Sequence, residues 1–239
     1  MARTDCTLVT CDAFPALDPD DRLLAGELRR RGLRVAIAVW SDPAVDWSAG
    51  RLTVLRSTWD YHRRHAEFVA WLDRIAPLTT VRNAPPLIKW NAHKFYLRDL
   101  ELRGIPVVPT AWLTQGTRCR LTELCASRGW DPVVIKPALG AASHDVVLAA
   151  NSNGVTLSGA PKARSSVTLS GAPKARSRRA PVSLDEAQAH LDALLAGEDA
   201  LVQPYLQSVE TYGERALMFV RDRYSHAVAK EPFDTVLAV

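Results

Sequence analysis

The sequence contains no apolar run approaching the roughly 20 residues that a transmembrane helix needs. Its first ten residues also lack the basic start and apolar stretch of a secretory signal peptide. These two absences argue against a membrane protein and against a secreted one. We therefore expect a cytoplasmic protein with no membrane partner.

Cysteine pairs with the two-residue gap of zinc and redox motifs are also missing. His62 and His65 lie three residues apart, but no third ligand follows nearby, so we expect no metal there. Free cysteines are commonly buried, and we expect structural thiols. The four cysteines are Cys6, Cys11, Cys119 and Cys125.

Acidic residues are absent from residues 151–183, and this segment explains the basic character of the chain. The formal net charge is +4 and the pI is about 9.0. The segment alone carries six basic residues, which exceed that net charge, so the rest of the chain is slightly acidic. A nucleic-acid partner would need a basic surface on the folded part, so this reading is the least favoured.

The same segment holds a tandem repeat, in which Val155–Ser165 returns as Val167–Ser177. Two copies are too few for a stacked repeat architecture. Their Gly, Pro, Ser and Lys content is typical of a loop, and surface loops accept insertions at low cost. We therefore predict a loop at 151–183, and a functional basic motif is the less favoured alternative.

What is present in the first third is an alternation of short strands and helices. An apolar strand at 7–10 precedes a helix from Asp18 to Arg31, and β-rich stretches follow at 34–40 and 52–55. Residues 62–75 have apolar side chains at helical spacing. Such alternation predicts a parallel sheet covered on both faces, in a Rossmann-like domain at 1–88.

The remainder, 89–239, has a different pattern. We predict a helix from Asn91 to Arg103 and a strand from Pro132 to Lys136. A capping box of Ser183 and Glu186 starts another helix. Three strands follow, and Asp222-Arg223 joins the last two as a hairpin. These strands span 201–206, 215–221 and 224–230.

Lys136 follows three β-branched residues and precedes the small residues of a loop that begins at Gly140. A strand-end lysine beside such a loop is able to meet phosphate oxygens, although the spacing is not that of a Walker loop. Lys94 and Lys230 add two cations, and Glu210 adds an acid suited to ribose hydroxyls. Alone, each feature is weak, and a solvated surface lysine is the ordinary alternative.

Taken together and in order, the motifs resemble an ATP-grasp ligase. They are Trp90-Asn91 with Lys94, Gly104 to Thr110, Val134 to Pro137, Leu201 to Leu206, Glu210, Gly213-Glu214 and Lys230. The stretch from Arg56 to Tyr61 resembles the subgroup that includes the cycloserine-forming ligase and glutathione-synthetase-like proteins. The resemblance implies an α/β fold, with a Rossmann-like pre-ATP-grasp domain before an incomplete ATP-grasp (α+β) domain.

The resemblance also implies roles for individual residues. Those expected to bind ATP are Lys94, Lys136, Gly140, Ala141, Ser143, Gln203, Tyr205, Leu206, Glu210 and Lys230. Within this set the lysines and the small-residue loop would contact phosphates, and Glu210 would hold the ribose. Substrate contacts are expected from Arg56, Asp60, Tyr61 and Glu214, although packing of the aromatic residues near Arg56 is an equal alternative for that stretch.

Ligases of this family use ATP and Mg²⁺ to convert a small-molecule carboxylate into an acyl phosphate, which an amine or a similar nucleophile attacks. The family's magnesium-binding carboxylates follow the position of Lys230, and we find no matching pair before Val239. We therefore expect weak ATP binding without ligation. The alternative to a ligase is an inactive nucleotide-binding or interaction module.

Overall fold

The computed structural model describes residues 4–141, 144–151, 181–220 and 222–230. The chain divides into two compact units, the first running to Tyr96 and including a short segment from Leu139. The second begins at Leu97 and holds the other described residues. Most of the repeat loop predicted at 151–183 lies outside the described residues, as does Ser143. Within the described ranges, no helix is both long and apolar enough to cross a membrane.

The first unit is built on a four-stranded sheet in which every pairing is parallel, in the order β2-β1-β3-β4. This arrangement confirms the Rossmann-like prediction. Its strands are β1 (Thr4–Thr10), β2 (Val35–Val39), β3 (Gly50–Ser57) and β4 (Thr80–Arg82), and its helices are α1 (Pro19–Arg30), α2 (His65–Ile75) and α3 (Pro85–Ala92).

Both faces of this sheet are covered, because successive side chains of a strand point to opposite sides. Leu8 packs in a cluster with Ala25 of α1. Its neighbour Val9 packs in a second cluster with Trp71 of α2. The two clusters therefore sit on opposite faces of the sheet, as predicted from the alternation of strands and helices.

Helix α1 begins and ends where its sequence signals predict. The Asp18 carboxylate accepts a hydrogen bond from the backbone N–H of Asp20 at 3.0 Å, and Pro19 occupies the first turn. Gly32 follows the helix with a φ of +81°, a conformation that glycine adopts without steric cost.

The second unit contains a five-stranded, mostly antiparallel sheet in the order β5-β9-β6-β7-β8 and a separate hairpin of β10 and β11. The hairpin confirms the predicted pairing of the last two strands. The strands are β5 (Ala111–Leu113), β6 (Val133–Pro137), β7 (Val147–Ala150), β8 (Val182–Ser183), β9 (Ala200–Pro204), β10 (Glu214–Val220) and β11 (Arg223–Lys230). The helices are α4 (Tyr96–Leu102), α5 (Leu121–Arg128), α6 (Leu184–Gly197) and α7 (Ser208–Tyr212).

Helices α5 and α6 cover one face of the five-stranded sheet. Leu121 of α5 and Leu191 of α6 are fully buried in one cluster with Val133, Ile135 and Val202 of the sheet. The predicted capping box starts α6, since Ser183 and Glu186 bond each other's backbone N–H groups.

The helix predicted from Asn91 to Arg103 is wrong in its first turn. The chain instead forms α3, an extended residue at His93 and then α4. Asn91 therefore lies in the last turn of α3 and does not cap a helix start. Pro85 and Pro86 occupy the first turn of α3, where a missing N–H costs nothing.

Candidate functional site

Strand β6 places Lys136 on the face of the sheet opposite α5 and α6. Val133 and Ile135 point into the helix-covered cluster. Because side chains alternate along a strand, Val134 and Lys136 point to the other face. Lys136 is only 5% exposed, although lysine is rarely buried to this extent. The strand therefore holds an ammonium group in a largely water-excluded position.

Strand β9 adds a second polar side chain to this face. Alternate residues of β9 join the helix-covered cluster, which leaves Leu201 and Gln203 on the other face. Leu201 pairs directly with Lys136, and Gln203 pairs directly with Val134. Directly opposed residues share a face, and diagonal ones are still within reach of long side chains. We call these four residues the platform face.

The platform face combines three chemical characters. Val134 and Leu201 are apolar, and both are buried. The Lys136 ammonium carries a positive charge and hydrogen-bond donors, and both suit phosphate oxygens. The Gln203 carboxamide offers both donors and an acceptor. This combination fits a ligand with a flat apolar ring, polar ring edges and an anionic group.

Gln203 is held by a hydrogen bond to the segment before β5. Its Nε2 donates to Thr110 Oγ1 at 2.7 Å. The Thr110 hydroxyl donates in turn to the carbonyl of Val108 at 2.7 Å. Gln203 and Thr110 are both buried, so these bonds are protected from water. The carboxamide is thus fixed before any ligand arrives.

The chain that leaves β9 brings two further predicted residues together. Tyr205 lies just beyond the strand, and its backbone N–H donates to the carbonyl of Pro132 at 2.9 Å. Its hydroxyl donates to Glu210 Oε1 at 3.0 Å. Glu210 lies on α7, and Leu206 between them is exposed. The predicted base-lining and ribose-binding positions are therefore adjacent.

Lys94 does not lie on a helix, and this part of the prediction is wrong. It sits in the turn between α3 and α4, where the chain is not helical. Its ammonium donates to the carbonyl of Gly140 at 3.1 Å. Lys94 thus contacts the start of the predicted phosphate loop, whose described part is Gly140 and Ala141. Both belong to the first unit with Lys94.

Glu214 and Lys230 occupy the open end of the β10–β11 hairpin. They are paired directly across the two antiparallel strands. Glu214 is exposed. The register therefore places Lys230, which is predicted to bind phosphate, and Glu214, which is predicted to contact the substrate, at neighbouring backbone positions.

Two of the predicted substrate residues have partners inside the first unit. The Arg56 guanidinium donates to Asp21 Oδ1 at 2.7 Å, and Asp21 on α1 is buried. The indole N–H of Trp40 donates to Asp60 Oδ1 at 2.8 Å. Both side chains therefore hold parts of the first unit together, whatever further role they have.

Tyr61 lines a cavity of about 340 Å³ that lies beyond the carboxyl ends of β3 and β4. Ligands of α/β proteins bind at this end of the sheet. Burial, with a smaller contribution from Tyr96, raises the pKa of the Tyr61 phenol, so its hydroxyl stays protonated. The cavity is lined by Leu55, Thr58, Tyr61, Phe68, Asn83, Leu87, Ile88, Asn91 and Ala92.

The described residues contain no cluster of side chains that would hold a metal ion without help from a ligand. Among them, no group of three histidine, cysteine, aspartate or glutamate side chains is placed to hold a metal ion. Mg²⁺ is usually bound through one or two carboxylates together with substrate phosphates. We therefore assign no metal ligand in the described ranges and derive no step through the ion.

Comparison with known proteins identifies the family. Residues 6–83 match the model for the N-terminal domain of D-cycloserine synthetase DcsG. The chain is 32% identical over 228 residues to the cycloserine biosynthesis protein DcsG of Streptomyces lavendulae, covering 93% of this chain and 66% of that protein. It superposes on the crystal structure of D-cycloserine synthetase DcsG with a TM-score of 0.76 and 30% identity, covering 95% of this chain and 68% of that one. The chain belongs to the DcsG group of ATP-grasp ligases.

A second solved structure supports the same fold for this ATP-grasp chain. The RimK domain ATP-grasp protein of Sphaerobacter thermophilus has a TM-score of 0.55 and 19% identity, over 87% of this chain and 66% of that one. An identity this low concerns the fold alone. The ATP-grasp chain spans 66% of the length of the DcsG protein it matches.

Sequence reasoning missed the roles of two side chains of the ATP-grasp chain, those of Thr110 and Asp21. Thr110 belongs to the motif from Gly104 to Thr110, but we predicted no role for it from the sequence. The structure shows that its hydroxyl accepts a hydrogen bond from Gln203. Asp21 sits in the acidic first turn of α1, which the helix dipole explains by itself. Its burial against Arg56 depends on how α1 packs on the sheet, and the local sequence carries no signal for that contact.

Proposed function

We propose that this chain is the nucleotide-binding part of an ATP-dependent ligase that activates a small carboxylate substrate. The observation that carries the proposal is the platform face. A buried lysine and a buried, hydrogen-bonded glutamine share it with two apolar side chains. Membership of the DcsG group of ATP-grasp ligases supports the same conclusion.

Each residue of the platform face has a distinct role in this proposal. The ammonium of Lys136 binds phosphate oxygens of ATP, because a charge-assisted bond is strongest away from water. The apolar pair of Val134 and Leu201 supports the base, and the Gln203 carboxamide meets its polar edge. Tyr205 and Leu206 add to the base site.

Glu210 binds the ribose in the same proposal. Its carboxylate accepts one bond from Tyr205 and retains further lone pairs for ribose hydroxyl donors. Phosphate contacts from Lys94, Lys230 and the loop of Gly140, Ala141 and Ser143 remain predictions that rest on the family resemblance. The same holds for substrate contacts from Arg56, Asp60, Tyr61 and Glu214.

The two units have different roles in the proposed function. We propose that the first unit corresponds to the pre-ATP-grasp domain predicted at 1–88, and that its cavity beside Tyr61 accepts part of the carboxylate substrate. The second unit corresponds to the ATP-grasp region predicted at 89–239 and holds the platform face.

The proposed reaction has two balanced steps. A carboxylate oxygen of the substrate attacks the γ-phosphorus of ATP, so that ADP leaves and an acyl phosphate forms. A nucleophile then attacks the acyl carbon, and inorganic phosphate leaves. That nucleophile is an amine of a second molecule or a group of the same molecule, as in a cyclising ligase. In ATP-grasp ligases Mg²⁺ supplies charge neutralisation at the transferring phosphate.

Trapping with hydroxylamine tests this proposal, because hydroxylamine converts an acyl phosphate into a stable hydroxamate. The chain is incubated with ATP, Mg²⁺, hydroxylamine and a panel of small amino acids and hydroxy acids. The sequence alone predicted no ligation, whereas the proposed function predicts hydroxamate and ADP in equal amounts with at least one carboxylate, and neither without ATP. ATP binding without hydroxamate from any carboxylate would support the alternative, a nucleotide-binding protein without ligase activity.

A further inference from the structure

Thr110 has one hydroxyl proton, and the structure shows where it goes. The hydroxyl donates to the carbonyl of Val108 at 2.7 Å. Its oxygen is then able only to accept from Gln203, which it does from Nε2 at 2.7 Å. Turning the carboxamide over would place its oxygen against an oxygen whose proton is already committed. Leaving two buried acceptors in contact costs free energy, so this network selects one orientation of the carboxamide.

The selected orientation decides what the glutamine offers to a ligand. With Nε2 directed to Thr110, the carbonyl oxygen Oε1 occupies the other side of the carboxamide plane. An oxygen at that position accepts a hydrogen bond, whereas a reversed carboxamide would donate one. Adenine carries an amino group at position 6, which is a donor, and guanine carries a carbonyl oxygen there, which is an acceptor. Hypoxanthine carries the same carbonyl as guanine.

We infer that Thr110 is a positioning residue that makes the platform face select adenine over 6-oxopurines, by fixing the orientation of the Gln203 carboxamide. This inference rests on the proposed function, since it requires that the platform face binds a nucleotide base. Thr110 itself touches no ligand in this account. Its buried position and its two hydrogen bonds are sufficient for the role.

A purely structural role for Thr110 makes a different prediction. A hydroxyl that only ties the segment at Val108 to β9 would affect all nucleotides equally when it is removed. ATP and ITP distinguish the two roles, because their bases differ in the group at position 6 and in the protonation of the adjacent ring nitrogen. The ratio of their dissociation constants is therefore the informative quantity.

The experiment measures the Kd of ATP and of ITP by calorimetry with the full chain, for the wild type, Thr110→Val and Thr110→Ser. In Thr110→Val the carboxamide loses its acceptor and is free to turn over. We expect ATP to bind roughly tenfold more weakly, as for one lost hydrogen bond, and ITP to bind no more weakly than before. Thr110→Ser keeps the hydroxyl and should keep the wild-type ratio.

The background variant Gln203→Ala shows whether Thr110 acts through the glutamine. In that background Thr110→Val should leave the ratio of the two constants unchanged, because no carboxamide remains to be oriented. Thermal unfolding of each variant checks that it folds, and Thr110→Ala replaces Thr110→Val if the valine variant does not.

Three results would overturn the inference. Thr110→Val could weaken ATP and ITP by the same factor, Thr110→Ser could behave like Thr110→Val, or the ratio could still shift in the Gln203→Ala background. In each case the wild type still binds ATP, so the proposed function stands. A folded wild type that binds neither nucleotide would overturn the proposed function together with the inference.

Discussion

Buried polar side chains show most directly how individual residues of this chain divide between stability and function. Asp21 is 4% exposed and meets both the guanidinium of Arg56 and the hydroxyl of Ser57. Its charge is therefore compensated inside the first unit. Gln203 is equally buried, but its bond to Thr110 uses only one of its polar atoms. The first arrangement is complete in itself, whereas the second leaves hydrogen-bonding capacity for a ligand.

Removing the buried carboxylate should therefore destabilise the protein. We predict that Asp21→Ala lowers the free energy of unfolding by about 2 kcal/mol, since Arg56 and Ser57 lose their partner and a cavity remains. Denaturation in urea measures the effect. The control is Asp20→Ala, an exposed neighbour in the same helix turn, which should change stability by about 0.5 kcal/mol or less. Equal effects of the two variants would show that the Asp21 contacts contribute nothing.

At the scale of elements, strand pairing in the first unit is supported by an ion pair at its amino end. Asp5 on β1 accepts hydrogen bonds from the backbone N–H of Arg34 at 2.9 Å and from its guanidinium, also at 2.9 Å. Arg34 comes directly before β2, so the contact joins the starts of two paired strands. These bonds, with the guanidinium bond contributing most, lower the pKa of Asp5 from 3.8 to about 2.

This shift predicts how stability depends on pH. Because the folded-state pKa is the lower one, the ion pair stabilises the protein above pH 4, and the stabilisation is lost as the pH falls from about 4 to about 2. Asp5→Asn should therefore be less stable than the wild type at pH 7, and the difference should vanish near pH 2. Urea unfolding at several pH values measures it. Arg34→Met removes the same pair and should give the same pattern, and a difference that is constant with pH would contradict the assignment.

The elements that the sequence predicts well are those with two independent signals. Helix α1 has an N-terminal cap and a C-terminal glycine, and α6 has a capping box. Strand β6 is rich in β-branched residues, and the β10–β11 hairpin consists of two long strands with a single register shift between Met218 and Phe219. In each of these, local preference and tertiary packing agree, so the pattern alone is sufficient.

The short elements were not predicted, because they form through tertiary contacts and not through local sequence preferences. Strands β4 and β5 have three residues each and form by pairing with longer neighbours. The break between α3 and α4 at His93 contains no glycine or proline that would predict it. The positions of Lys136 and Gln203 on one face followed from strand alternation only once the register of β6 and β9 was known. The hydrogen bond that Gln203 donates to Thr110 spans 93 residues, and no local sequence pattern predicts it.

On the scale of the whole molecule, two units of different architecture carry the predicted residues. The first has a parallel sheet and a cavity beside Tyr61, and the second has an antiparallel sheet with the platform face. The family comparison agrees with this division, because the match to the N-terminal domain of DcsG lies within the first unit. Lys136, which is proposed to bind the phosphates of ATP, lies in the second unit.

Calorimetric titration of ATP with Mg²⁺ into the wild type, Lys136→Met and Lys89→Met measures whether Lys136 binds the phosphates. Methionine keeps most of the length of lysine without its charge, and Lys89 is a surface residue paired with Asp73 in the first unit. We predict saturable binding to the wild type, affinity at least tenfold weaker for Lys136→Met as for a lost charged hydrogen bond, and no change for Lys89→Met. A folded Lys136→Met variant that binds ATP as tightly as the wild type, or a folded wild type that binds none, would contradict the account.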